Sequence, residues 1–380
     1  MILGNHISRR RQVPHEGSEN RPDTVKNIQA LRGIAALLVV FAHVKFPLEI
    51  LNPSAADYPL VRSGHGAIGV DLFFIISGYV ICLTACKRQH KPIEFLLARI
   101  ARISPLYLIY VLLFLLVKAV FLGRHNSLPS IWNGFFYLPV FDWKEFSVPP
   151  GGTGWSLCFE MWFYLSFALL LYIWTPKKAA MVLPIIFLAG SAIAILYHGD
   201  WYFPRFVFHP FVLEFAFGCV VYNTQRWISL RLSWFLLTGG IIYMIAFSRH
   251  TGFLAFFPMV LSYRLDLAWL RVLLWGLPSA LIVAGLVGLE RNRGYILPRA
   301  LVWTGGISYS LYLSQQITME IFTKVGQRIG LHSFAVIVPS VLILCVFNAW
   351  LCWKWVEKPL TGQAQRWAKK VSLSSVCLPT

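Results

Sequence analysis

Charge is what this chain is short of. Only 13% of its 380 residues are Asp, Glu, Lys or Arg, about half the share of an ordinary soluble domain. A folded soluble surface needs more than that, so one or two conventional soluble domains are excluded. Polar bulk is missing too: 57% of the residues are apolar and the mean hydropathy is +0.62, which excludes disorder. No C-x-x-C pair occurs among the seven cysteines, and most of them sit in apolar runs. Neither a disulfide framework nor a metal site is therefore expected. Cys377, with Leu-Pro-Thr after it, is a poor prenylation match. No internal repeat is visible, and no polar stretch between the apolar runs has room for a soluble domain. Acidic residues are scarce: 16 against 34 Lys and Arg, a net charge of +18. Such a balance can mark nucleic-acid binding. The apolar background favours a topological cause, because Lys and Arg gather in the cytoplasmic loops of membrane proteins. No nucleic-acid partner is expected.

Long apolar runs and aromatic rings are what the chain has in quantity. A bilayer-crossing helix needs about 20 apolar residues. Ten segments qualify: 28–48, 66–85, 104–122, 155–175, 179–197, 206–223, 233–248, 268–289, 300–321 and 334–353. The runs 253–263 and 131–141 are too short to cross and read as re-entrant or interfacial. The 15 Trp and 15 Tyr suit the membrane–water interface. The expected fold is an all-α polytopic membrane protein of about ten transmembrane helices. A disordered basic arm (1–27) precedes a membrane domain (28–356), and a basic cytoplasmic tail (357–380) follows it. The arm is too long and charged for a cleavable signal peptide, and Arg32 and His43 interrupt the run after it. With the N-terminus inside and the spans alternating, 23 of the 34 Lys and Arg fall on the cytoplasmic side, ten fall outside, and Lys118 lies within a span. That is the partition the positive-inside rule demands, with both termini cytoplasmic.

Ionisable groups in a membrane span cost several kcal/mol unless paired or wetted, so each needs an explanation. Arg32 and His43, 11 residues apart on the first span, return to nearly the same helix face about 16 Å apart along the axis. A cation near the cytoplasmic mouth suits an anionic substrate, and a deeper imidazole suits proton transfer or nucleophilic attack. The plainer reading makes Arg32 a snorkelling anchor and His43 a packing residue. Asp71, in Gly-Val-Asp-Leu-Phe-Phe-Ile-Ile-Ser77-Gly78, needs a cation or several donors; a salt bridge to a neighbouring helix and a catalytic role stand level. Ser77-Gly78 permits close helix packing. Arg99 and Arg102 open the third span on one face, able to grip phosphates through their forks or to anchor topology. Pro105 is expected in that helix's first turn. Glu160, after the turn-forming Pro149-Pro150-Gly151-Gly152, sits in an aromatic setting that asks for a partner. Glu214 and Glu320 are weaker candidates, Glu214 as a partner of Arg205.

Six motifs then stand in register: Leu-Arg32-Gly with His43 eleven residues on; Gly-Val-Asp71-Leu-Phe-Phe-Ile-Ile-Ser-Gly-Tyr; Arg99-x-x-Arg102-Ile-x-Pro-Leu-Tyr; Trp155-Ser-Leu-x-x-Glu160-x-x-Phe-Tyr; Ser308-Tyr309-Ser-Leu-Tyr-Leu; and Val-Glu357-Lys-Pro359-Leu. Together they resemble the acyltransferase-3 family of membrane proteins from about residue 27 to residue 360. Leu213-Glu214-Phe-x-Phe-Gly218 and the Trp-Ser-Leu-x-Phe-Glu-Met variant are similar to the branch that O-acetylates bacterial exopolysaccharides. The resemblance implies a ten- or eleven-span enzyme of the bacterial inner membrane. It would move an acyl group, usually acetyl, from cytoplasmic acyl-CoA to a hydroxyl of an extracytoplasmic or lipid-linked glycan. No permanently bound cofactor is implied. The implied partners are acyl-CoA as donor, a sugar or polysaccharide acceptor, the bilayer, and a polysaccharide assembly machinery. His43 is implied to be essential, with Arg32 in the same motif and Arg99 and Arg102 near the CoA; Arg32, as a cation at the cytoplasmic mouth, is expected to bind the donor as well. Asp71 or Glu160 would orient the imidazole and stabilise its charged form. In one route His43 deprotonates the sugar hydroxyl, which attacks the thioester; in another His43 is itself acylated and hands the group on. One departure stands out. The family's Ser-Tyr-Ser-Leu-Tyr-Leu block usually continues with one residue and a histidine, where this chain has Gln315, which cannot titrate near neutral pH. Either that second histidine is structural, which the presence of His43 favours, or the chemistry or acceptor choice has changed. The rival of another class is a proton-coupled transporter or exporter of a polysaccharide-related substrate, for which paired interrupted spans in two halves are missing.

The topology is tested by cysteine labelling from the periplasmic face. Single cysteines at Asn52, Asn126, Gly252 and Gly330 are expected to label in intact cells, and those at Asn20, Gln89, Gln225, Asn292 and Gln363 to stay protected. Labelling at Asn292 with protection at Gly330 would invert the C-terminal spans.

Overall fold

A computed structural model of the chain describes residues 25–56, 58, 61, 64–88, 91–122, 127–138, 152–196, 202–251 and 264–374. Most of the arm 1–27, the run 253–263 and Cys377 lie outside the described residues. Among these residues every regular element is helical. The helices of six residues or more are α1 (Lys26–His43), α2 (Lys45–Leu51), α3 (Ile68–Arg88), α4 (Pro92–Leu122), α5 (Leu128–Phe136), α6 (Gly154–Leu170), α7 (Pro176–Ala194), α8 (Tyr202–Val207), α9 (Val212–Thr224), α10 (Leu230–Thr251), α11 (Leu265–Arg271), α12 (Leu277–Arg293), α13 (Arg299–Gly306), α14 (Ser308–Arg328), α15 (Phe334–Cys352) and α16 (Lys358–Ser374). The protein is an all-α polytopic membrane protein. Among the described residues, eight helical stretches are long and apolar enough to cross a bilayer.

Each of the ten apolar segments coincides with helix, and the departures have physical causes. Helix α6, at 17 residues, is shorter than any of the eight membrane-length stretches. The segment 300–321 is broken at Ile307 into α13 and α14, and α14 carries Ser, Gln, Thr, Glu and Lys side chains that lower its hydropathy. The segment 206–223 is interrupted between α8 and α9, where Pro210 withholds an N–H. The third span begins at Pro92 rather than near Arg102, so Pro105 lies in the middle of α4 and not in its first turn. Arg99 and Arg102 are consequently two and three turns inside the helix. Helix α5, with nine residues, is too short to cross, in keeping with its interfacial reading. The C-terminal region 358–374 is helical and packs on α4. Outer surfaces expose Leu116, Ile185, Phe235, Ile245 and Ile343, each more than half accessible, which only a lipid environment makes tolerable.

The helix order is pinned by contacts at the two ends of the bundle. At one end the first N–H groups of α1, Lys26 and Asn27, donate to the Glu290 carboxylate near the end of α12, at 2.8 and 2.7 Å. Asn223 Nδ2, near the end of α9, donates to the Ala180 carbonyl in the first turn of α7 at 2.9 Å. At the other end Asn52 Nδ2 donates to the His332 carbonyl at 2.6 Å. Helices α3 and α9 meet at a glycine-on-glycine seam: a Cβ on Gly78 would strike the Phe215 carbonyl, and one on Gly218 would strike the Ile75 carbonyl. The Ser77-Gly78 pair thus does what small residues do between membrane helices.

Among the described residues, the interior holds one strong ion pair. Arg271 Nη2 and Nε donate to the two Asp71 carboxylate oxygens at 2.7 and 3.1 Å, with both side chains at most 2% exposed. The guanidinium carbon lies 4.9 Å from the Trp275 ring centre and 5.3 Å from that of Phe211. Of the two readings that stood level for Asp71, the salt bridge to a neighbouring helix is the one seen, and Arg271, counted among the ten outside cations, is a core residue. Glu214 packs against Gly276 with Asp71 and Arg271 as its charged neighbours, instead of pairing with Arg205.

Removing one partner of a buried pair leaves a bare charge, which costs about 3–5 kcal/mol. Asp71→Ala and Arg271→Ala are each expected to lower the melting temperature of the detergent-solubilised protein sharply. The double variant Asp71→Leu/Arg271→Met is expected to recover most of that loss. A double variant no more stable than the singles would contradict a structural role for the pair.

Candidate active site

Arg32 lies on α1 three residues before the α3 contact made by Ala35, and its side chain enters a cavity shared by α1, α3, α4, α6 and α14. The cavity has a volume of about 100 Å³. Its polar wall carries Arg32, Arg99, Arg102, Ser77, Glu160, Tyr164, Tyr309 and Tyr312; its apolar wall carries Val70, Phe73, Phe74, Ile76 and Leu157. Arg32 is six residues into α1, roughly 9 Å along the axis from the helix start that Glu290 caps. Arg32 therefore lies nearer the end of the bundle that carries Lys26, Gln225 and Arg293 than the end that carries His43.

The guanidiniums are held differently. Arg99 Nη2 donates to Thr84 Oγ1 at 2.5 Å and stacks over Phe95, 5.4 Å from its ring centre. Arg102, one turn further along α4, is exposed at the mouth. Arg32 has Arg102, Glu357 and Glu160 as its charged neighbours. Glu357 accepts a hydrogen bond from Ser310 Oγ at 2.5 Å, which ties the end of the last span to α14 beside these arginines. Glu160, on the second turn of α6, accepts from Ser77 Oγ at 2.9 Å and from Tyr164 OH, both on Oε1. Tyr309 OH donates to the Ile103 carbonyl at 2.7 Å, and Tyr312 OH shares a 2.7 Å bond with Ser156 Oγ. The tyrosines thus stitch α14 to α4 and α6 around the opening.

His43 does not line this cavity. It is the last residue of α1, eleven residues beyond Arg32 and about 16 Å further along the axis. Its Nδ1 lies 2.8 Å from the Val39 carbonyl, and its ring centre is 5.7 Å from that of Phe46. A carbonyl can only accept, so Nδ1 carries the proton and Nε2 of the neutral ring is left as the base. The orienting group is this backbone carbonyl. Asp71 is bound to Arg271 and Glu160 to Ser77 and Tyr164, so neither carboxylate serves the imidazole as the sequence had suggested. Gln315 is fully buried, with Nε2 on the Tyr312 carbonyl at 3.1 Å, and it too lies off the cavity.

The structure therefore brings Arg32, Arg99, Arg102 and Glu160 together and leaves His43 and Asp71 elsewhere. Sequence reasoning missed Tyr164, Ser77 as a polar contact, and Glu357 as a neighbour of the arginines. Tyr164 was detectable, since it lies one helical turn from Glu160; the other contacts are long-range.

Residues 25–354 match the family described as an acyltransferase domain, and that match covers most of the chain. The chain belongs to the acyltransferase-3 family. It is similar to the exopolysaccharide production protein ExoZ of Rhizobium meliloti (strain 1021), 29% identical over 321 residues, covering 80% of this chain and 94% of that protein. Nodulation protein 10 of Rhizobium leguminosarum bv. viciae is 25% identical over 362 residues, covering 88% of this chain and 92% of that protein. The O-acetyltransferase OatA of Staphylococcus aureus (strain NCTC 8325 / PS 47) is 30% identical over 152 residues, 35% of this chain and 25% of that protein. No solved structure matches. Family membership makes the chain a membrane acyltransferase and sets the transporter reading aside.

Proposed function

We propose that this acyltransferase takes an acyl group, acetyl foremost, from acyl-CoA and places it on a hydroxyl of an extracytoplasmic or lipid-linked glycan. The observation that carries the reading is the convergence of Arg32, Arg99 and Arg102 on one cavity whose other wall is apolar. Three guanidiniums at a mouth match a ligand rich in phosphate. An apolar passage behind them matches the thin arm that bears the thioester. The names of its relatives, an exopolysaccharide production protein and an O-acetyltransferase, support a glycan acceptor.

In this reading the donor's phosphates stay at the arginines, at the cytoplasmic face of a bacterial inner membrane, and its arm extends toward His43. The 16 Å or so between Arg32 and His43 is a span for such an arm to bridge. CoA is too polar to cross, and it need not. The reacting atom of His43 is Nε2. In direct transfer Nε2 takes the proton of the sugar hydroxyl as its oxygen attacks the thioester carbonyl, and the proton passes to the departing thiolate. In the relay Nε2 attacks that carbonyl first, CoA leaves as the thiolate, and the acyl-imidazolium, still carrying its Nδ1 proton, is then opened by the sugar hydroxyl, whose proton goes to the thiolate. Both routes need the Val39 carbonyl to hold the tautomer. Partners that assemble the polysaccharide would present the acceptor at the far end.

Two outcomes test the reading. His43→Ala is expected to abolish acylation while leaving expression and membrane insertion intact; an unchanged acetyl content of the polysaccharide by NMR would remove His43 from the chemistry. Arg99→Ala and Arg102→Ala are expected to weaken acyl-CoA binding about tenfold or more each, with lysine restoring only part because it keeps charge but loses the fork. Titration of acyl-CoA into the solubilised variants reads this directly. Wild-type affinity in both alanine variants would reduce these arginines to topology anchors.

A further inference from the structure

Glu160 is a carboxylate with half of its bonding capacity in use. Ser77 and Tyr164 both donate to Oε1, while Oε2 receives no hydrogen bond among the described residues. None of the three cavity guanidiniums hydrogen-bonds it either. An ionised carboxyl offers about four acceptor positions, and Oε2, which is not among the buried atoms left without a partner, turns its share to the open space of the cavity. The side chain lines the cavity, between the arginines of its mouth and the apolar surfaces of Phe73, Phe74 and Leu157. Its direction is fixed from two sides, by a hydroxyl on α3 and by a phenol one turn along α6.

A thioester donor of the CoA type meets this wall with the middle of its arm. That section carries two secondary amides, whose N–H groups lose water as they pass apolar side chains and need an acceptor there. We propose that Glu160 Oε2 is that acceptor: the cavity contains a recognition site for an amide of a pantetheine arm, and Ser77 and Tyr164 are its positioning residues. The inference rests on the acyl-CoA reading above and deepens it. It gives Glu160 a role in donor selection in place of one in orienting His43. Because the acceptor is held before the ligand arrives, little ordering is left for binding itself. Simple thioesters that lack an amide should be poor donors even where their acyl group is identical. The same arm occurs on acyl carrier proteins, so the amide site by itself does not discriminate CoA from a protein carrier; the arginine mouth does.

The test uses the full-length solubilised protein and three donors: acetyl-CoA and two analogues in which one or the other amide N–H is replaced by an ester oxygen. For the wild type, kcat/KM is expected to fall roughly 10- to 100-fold on one analogue, mostly through KM, as for the loss of a hydrogen bond to a charged group. Glu160→Ala should lower kcat/KM for acetyl-CoA and bring it level with that analogue. Glu160→Gln, which keeps the shape and an acceptor, should restore part of the difference and serves if the alanine variant does not fold. Tyr164→Phe should narrow the difference by loosening the carboxylate. Equal use of all three donors by the wild type would overturn the proposal. So would a Glu160→Gln variant that loses activity equally on every donor, since that is the mark of a structural or acid–base role. Wild-type protein that consumes no acetyl-CoA but turns over an acetylated carrier protein would refute the CoA reading while keeping the arm site. Consumption of neither would end both.

Discussion

A guanidinium inside a hydrocarbon layer must find its counter-charge within the protein, and the way Arg271 does so governs much of this bundle. Its carboxylate partner, Asp71, sits on α3, and the stacking partners Phe211 and Trp275 come from the approach to α9 and the turn after α11. Three parts of the chain far apart in sequence are thereby fixed at one point. Helix α3 is the one that matters for chemistry, because its other turns present Phe73, Phe74 and Ser77 to the cavity. Charge pairing at Asp71 sets the depth of α3; the Gly78–Gly218 seam sets its distance from α9; together they decide where Ser77 meets Glu160. Asp71 thus positions the cavity-lining turns of α3 through its pairing with Arg271.

Much of the architecture was readable from composition and run length, because a bilayer imposes a single rule on every span. The ten apolar segments all became helix. The arginines were readable as well: charges in spans are rare enough to stand out, and Arg32, Arg99 and Arg102 did converge. What could not be read was pairing. Asp71 and Arg271 are 200 residues apart, and Arg271 looks like any loop cation beside an apolar run. The position of Pro105 misled for a related reason, since a proline starts a helix in water far more often than it sits within one, whereas buried membrane helices tolerate it.

In the proposed function the separation of His43 from the arginines has a simple physical meaning. A phosphate-rich ligand wants water and guanidiniums at the rim, and an acyl transfer wants a neutral imidazole away from bulk solvent. Eleven residues of helix hold both on one element without letting either disturb the other. The Val39 carbonyl lets the imidazole dispense with a carboxylate partner, whose charge in that setting would itself have needed neutralising.

The seam between α3 and α9 bears on how this protein can change over generations. At Gly78 and at Gly218 the added carbon would strike backbone of the opposite helix, and no rotamer can move a backbone carbonyl out of the way. Neither position can therefore be exchanged ahead of the other, and exchanging both only doubles the clash. Drift must flow around this pair, through the lipid-facing residues of α4, α7, α10 and α15. A lineage that needs a new acceptor or acyl group must remodel the walls of the cavity while the axle on which α3 turns stays as it is.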